Sequence, residues 1–247
     1  GLKIIIDGIE LDLAKAEVLD FYRELNMREG YLKRRFKARI APEKEIEVEA
    51  IRFVSMTRKE IGAISYRFRL LNFTAKVEIC PYLDFDVVNH DSNYDEKFWE
   101  GMEENVATQK AVILARTRKL DFQVAAAMRY EMYKGQGEPV TLYPEQTTRD
   151  KYADNRFTIE VEANRDYTLH KYAAICTSFH FDKKELISKA DELASIARRE
   201  GFDKLLAEQK ADWAQRWEQS DILIEGDAEA QQGIRFNIFP LTQTYTG

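Results

Sequence analysis

A large antiparallel β-sandwich followed by helices is the fold class that this sequence predicts, and three observations carry it. The first two-thirds of the 247 residues alternate apolar and polar side chains with period two. Gly, Asn and Asp pairs punctuate that alternation at short intervals, with no helical pattern between them. At Phe181-Asp182 the period changes to that of a helix.

Taken in order, Lys3 to Ile6 meets Ile9 to Leu13 across Asp7-Gly8, a dipeptide suited to a tight hairpin. Strands are expected over residues 18–26, 31–40 (after a Glu29-Gly30 turn), 45–56 and 61–71. Within 45–56, Ile46, Val48, Ala50 and Arg52 share one face. Further strands are expected over 75–88, 106–117, 120–133, 156–163 and 167–179, with turns at Gly135-Gln136-Gly137 and Asn164-Arg165-Asp166. The mixed polar and apolar alternation fits sheets with one wet face.

Leu186, Ala190, Leu193 and Ala197, widened by Ile187 and Ala194, form the stripe of an amphipathic helix that Asp182 would cap. Gly201 interrupts, and Phe202, Leu206, Trp213 and Trp217 continue a second helix. Lys204/Glu208 and Asp212/Arg216 are opposite charges at i,i+4 on it. A short extended piece, 220–225, leads to Asp227, the expected cap of a last helix carrying Ile234, Phe236, Ile238, Phe239 and Leu241. That helix is apolar nearly all round and needs protein on several sides. No such neighbours follow it, and Gly1 is not a Met, so the reading expects a cut at both ends. The expected organisation is 1–181 sandwich, 182–226 helical linker and 227–247 start of a further helical domain.

Hydrophobic residues make up 45% and charged residues 32%, as in an ordinary globular protein. The net charge is −6 with the basic residues spread out, which argues against nucleic acid as a partner. No apolar run approaches the ~20 residues of a membrane span. Cys80 and Cys176 lie in apolar strands and read as buried free thiols, which favours the cytoplasm. Asn72-Phe73-Thr74 matches a glycosylation acceptor and is read as a turn.

Residues 213–239, WAQRWEQSDILIEGDAEAQQGIRFNIF, resemble glycoside hydrolase family 65, which includes maltose, trehalose and kojibiose phosphorylases. Segments 18–30 (VLDFYRELNMREG), 52–56 (RFVSM), 84–89 (DFDVVN) and 93–99 (NYDEKFW) are similar to the sandwich domain of that family, the last closest to its maltose-phosphorylase branch. The resemblance implies a galactose-mutarotase-like supersandwich, then linker helices, then the first helix of an (α/α)6 barrel. It also implies inverting chemistry on maltose or a related α-glucoside. A carboxylic acid protonates the glycosidic oxygen while inorganic phosphate, or water in a hydrolase, attacks from the opposite face. Phosphate brings its own nucleophilic oxygen, so no protein base is needed. An oligosaccharide substrate, phosphate as co-substrate with no other cofactor, and a homodimer follow from the resemblance. The family's sugar-binding, acid and phosphate residues fall beyond Gly247, so no catalytic residue is carried over. A non-catalytic scaffold domain is the expected role. Part of a family-65 glycoside hydrolase is one alternative, and a free-standing carbohydrate-binding module is the alternative from another class.

The densest polar cluster spans Asp84 to Asp95. Asp91, Asn93 and Asp95 have the 1-3-5 spacing of a calcium loop, but Glu96 and Met102 stand where Gly and Glu are required. A polar surface loop is the simpler reading, with Asn93, Asp95 and Trp99 as candidates for a sugar or subunit contact. Phe98 and Trp99 fit such an anchor and ordinary core equally well. Asp84 and Asp86 share a strand face too closely for an acid–base pair with a substrate between them. His90, His170 and His180 lack metal-ligand spacing. Arg235 and Asn237 either line a barrel mouth or pack the linker junction.

Overall fold

The computed structural model describes residues 1–88 and 97–244. Its strands are β1 (Leu2–Ile6), β2 (Ile9–Glu10), β3 (Glu17–Asn26), β4 (Tyr31–Ala41), β5 (Lys44–Val54), β6 (Ile61–Leu70) and β7 (Ala75–Asp84). They continue with β8 (Trp99–Ala107), β9 (Lys110–Thr117), β10 (Gln123–Lys134), β11 (Glu138–Pro139), β12 (Glu145–Arg149), β13 (Tyr152–Val161) and β14 (Tyr167–Thr177). Three helices follow: α1 (Leu186–Glu200), α2 (Phe202–Ser220) and α3 (Ala228–Thr244).

The strands build a five-stranded sheet, β12-β13-β7-β1-β2, and a nine-stranded sheet, β3-β4-β5-β6-β14-β10-β9-β8 with β11 beside β10. Every pairing is antiparallel. Alternation explains the layering. Phe36, Val48, Phe68 and Leu169 of the large sheet meet Ile4, Ile6, Val77 and Phe157 of the small one to form the sandwich core. The opposite face of the large sheet carries Phe53, Ile61, Ala63 and Tyr172 against Ala197, Phe202 and Leu205 of the helices. In β10, Ala125 and Ala127 pack on Leu186, Ala190 and Ala194 of α1, while Ala126 and Met128 face the small sheet. Small residues at those positions let a helix lie close to the sheet. The architecture is therefore helix, large sheet, small sheet.

The basic run 33–39 sits beside acidic strands. Lys33–Glu49 (2.8 Å), Lys37–Glu45 (2.6 Å), Arg39–Glu17 (2.7 Å) and Arg67–Glu49 (2.9 Å) form a cross-strand ladder. Asp7 and Gly8 both have positive φ (47° and 83°), as the expected hairpin turn requires. Cys80 and Cys176 are buried and free. Asn72 is a turn residue whose Oδ1 accepts from the Glu45 N–H at 3.0 Å.

Several expectations need correction. The strand expected over 106–117 is two strands, β8 and β9, hinged at Gln109, which adopts φ 57°. β8 was hidden because it is an acidic edge strand whose side chains are mostly exposed. β12 was missed for the same reason. β7 stops at Asp84 instead of 88, and Asp86 N–H turns back to the Asp84 carboxylate at 2.8 Å, so these carboxylates do not share a strand face. α1 begins at Leu186, not beside Asp182, whose side chain accepts from the Lys184 N–H in a local turn (2.9 Å). In α2 the buried stripe is Phe202, Leu205, Gln209 and Trp213, with Leu206 only partly buried. Among the described residues no helix is long and apolar enough to cross a membrane.

Candidate functional site: the loop after β7 and the helical junction

Asn93 and Asp95, with the calcium-like spacing from Asp91, lie outside the described residues. Trp99 opens β8, paired with Thr117, and its ring meets Phe85 edge-on at 5.5 Å. That contact packs Trp99 against the residue just after β7, whereas Phe98 is 42% exposed. Asp86 accepts from both Lys97 and Lys151 at 2.8 Å. The Lys151 and Lys97 ammonium groups hold the Asp86 carboxyl down at about 2. Since the folded value lies below the unfolded one near 3.9, this pairing stabilises the fold at neutral pH and is lost as pH falls through about 2. An NMR titration of the Asp86 carboxyl carbon should show that low midpoint; a midpoint near 4 would mean the two ion pairs do not persist in solution. His170 stacks on Phe202 at 5.1 Å, and burial lowers its pKa. Among the described residues no group of three potential metal ligands comes together.

The second candidate region is the junction. Arg235 grips Asp221 through two bonds, Nε at 2.8 Å and Nη2 at 2.6 Å, and lowers the Asp221 pKa. It is thus bound to the end of α2. Trp213 is 1% exposed and stacks on Phe239 at 4.4 Å. The Trp217 indole donates to the Met27 carbonyl at 2.8 Å. A sugar-binding module uses open planar rings, and these two tryptophans are committed to packing.

Sequence reasoning missed Gln209. It is fully buried, accepts from the Met56 N–H (2.9 Å) and donates to the Gly30 carbonyl (2.8 Å), bolting α2 to two hairpin ends. The available signal was a glutamine midway between Leu205 and Trp213 on the buried stripe. Arg58 was missed too; it pairs with Glu200 and Glu208 and ties the β5–β6 turn to both helices.

Two cavities flank the junction. A cleft of about 650 Å³ is lined by Leu32, Val54, Ile64 and Ile175 of the large sheet and by Phe236 and Pro240 of α3. By alternation those sheet residues belong to the face that elsewhere packs on the small sheet. A more polar groove of about 820 Å³ lies between the β3–β4 turn and the linker, with Glu24, Arg28, Glu218 and Arg235 on its walls.

The family model for the N-terminal domain of glycosyl hydrolase family 65 matches residues 1–216. The chain belongs to glycosyl hydrolase family 65. It is 35% identical to a maltose phosphorylase of Bacillus subtilis over 100% of this chain and 32% of that protein. It is 31% identical to an alpha,alpha-trehalose phosphorylase of Thermoanaerobacter brockii over 98% of this chain and 32% of that one. The chain therefore spans about a third of the length of these relatives. A solved structure from the human microbiome, described as a candidate kojibiose phosphorylase, superposes with a TM-score of 0.86 at 21% identity, covering 98% of this chain and 31% of that one. That likeness supports the sandwich-then-helices fold, and the N-terminal domain model of family 65 spans the fourteen strands, α1 and most of α2.

Proposed function

We propose that this family-65 chain is a non-catalytic scaffold that carries the catalytic part of an inverting disaccharide phosphorylase acting on maltose or a related α-glucoside. The carrying observation is the cleft beside α3. One side of α3 packs down through Phe239, while Phe236 and Leu241 are 55% and 58% exposed. The sheet face and Phe236 and Pro240 of α3 open together onto this cleft, which suits a covering domain, and the relatives have about two-thirds of their length outside the match. Maltose is favoured over trehalose and kojibiose as substrate by the higher identity to the maltose phosphorylase.

In this reading inorganic phosphate is the co-substrate, the oligosaccharide is bound mainly by the catalytic part, and the protein works in the cytoplasm. Two buried free thiols suit that compartment. A second copy is the expected protein partner. Edge strand β3, with Phe21 49%, Tyr22 45% and Leu25 41% exposed, is the surface that supports it. The test is direct. The 247-residue chain, given maltose and phosphate, should release no glucose 1-phosphate. Turnover by the purified chain would overturn the scaffold role.

A further inference from the structure

Among the described residues the linker between α2 and α3 pairs with no strand, yet two of its backbone groups are held by one side chain. Ile224 N–H donates to the Gln231 Oε1 at 2.8 Å, and Gln231 Nε2 donates to the Ile222 carbonyl at 2.9 Å. One carboxamide thus makes the two-point contact that a neighbouring strand would make with an extended backbone. At the linker's start, Arg235 grips Asp221. At its end, Gly226 turns the chain with φ 87°, and Asp227 caps α3 by accepting from the Ala230 N–H at 2.9 Å. The three side chains, Asp227, Gln231 and Arg235, are spaced at i, i+4 and i+8, so they stand on one face of the helix entry.

We infer that residues 221–239 form a rigid elbow, with Gln231 as its positioning residue, which sets the direction of α3 relative to α2 before anything else packs on it. The lock is local: linker and helix are bound to each other by their own side chains. Phe239, the buried residue of α3, then seats the assembled unit on Trp213. The elbow starts just beyond the residues matched by the family's N-terminal domain model, at the point where the chain leaves the sandwich-bound helices. A domain carried on α3 would inherit its angle from this elbow. The inference holds whatever reaction the longer protein performs.

Residue-resolved amide exchange on the 247-residue chain tests it. Gln231→Ala should speed exchange of the Ile224 amide about tenfold, the effect of losing one intramolecular hydrogen bond. Amides of β5 and α2 should be unchanged. Gln231→Glu keeps the acceptor for Ile224 and loses the donor to Ile222, so its effect should be intermediate. Phe239→Ala should shift Trp213 fluorescence and leave the Ile224 amide protected. Unchanged Ile224 exchange in Gln231→Ala would overturn the elbow. So would loss of protection throughout α2 in that variant, or loss of Ile224 protection in Phe239→Ala, since either makes the junction depend on the body of the domain.

Discussion

Gly30→Ala is expected to destabilise the chain by about 3 kcal/mol, from overpacking and from a strained left-handed backbone together. Gly30 adopts φ 72°, and a Cβ there would sit 1.9 Å from Nε1 and 2.0 Å from Cδ1 of Trp213. The indole has no room to retreat. It is fully buried, with Phe239 on one side at 4.4 Å and Trp217 at 5.9 Å. The same Cβ would also crowd Gln209 Nε2 at 2.8 Å, disturbing the amide that bridges two hairpin ends. A loss of that size is a large share of a typical total stability of about 5–15 kcal/mol. Urea unfolding followed by tryptophan emission should show a midpoint lower by roughly 1 M with the slope unchanged. A midpoint within about 0.2 M of the parent would mean that the turn relaxes and that Trp213 is not a fixed wall.

Asn155→Ala should cost about 2–4 kcal/mol at the other end of the sandwich, because it leaves buried hydrogen-bonding groups without partners. Asn155 is fully buried on β13 of the small sheet. Its Oδ1 accepts from the Gln109 N–H and the Tyr130 hydroxyl, both at 2.9 Å, and its Nδ2 donates to the Lys110 carbonyl at 3.1 Å. One amide thereby stitches the small sheet to the β8–β9 turn and to β10. Tyr130, also fully buried, would keep a hydroxyl with no acceptor. Asn155 and Gly30 share no partner, so the double variant should lose the sum of the two effects to within about 0.5 kcal/mol. Thermal or urea unfolding of the parent and the three variants decides this; a strongly non-additive result would mean that the two ends of the domain are coupled.

Most strands were legible because one face of each is buried, which imposes a period of two on sequences such as Ile46-Glu47-Val48-Glu49-Ala50. The edge strands β8 and β12 escaped for the converse reason: nothing covers them, so nothing constrains their polarity. The stretch 213–239 reads as a family signature, and the structure gives its residues physical work. Trp213 seats α3, Asp221 and Arg235 clamp it, and Gln231 pairs with the linker backbone. Arg235 was therefore visible as a notable residue but not as a clamp, since its partner lies 14 positions away across a turn.

By itself the sequence determined the fold class, the switch from strands to helices near Phe181, the burial of both cysteines and the kinship with family 65. These are properties of local periodicity and of contiguous motif, which a linear string preserves. The tertiary structure alone decided which face of the large sheet receives the helices, that Gln209 and Asn155 are buried connectors, and that Arg235 is committed to Asp221. Those outcomes depend on pairings between residues from 14 to 179 positions apart. Whether a polar side chain is solvated or buried as a connector is set by the element packed over it, and that element is specified elsewhere in the chain.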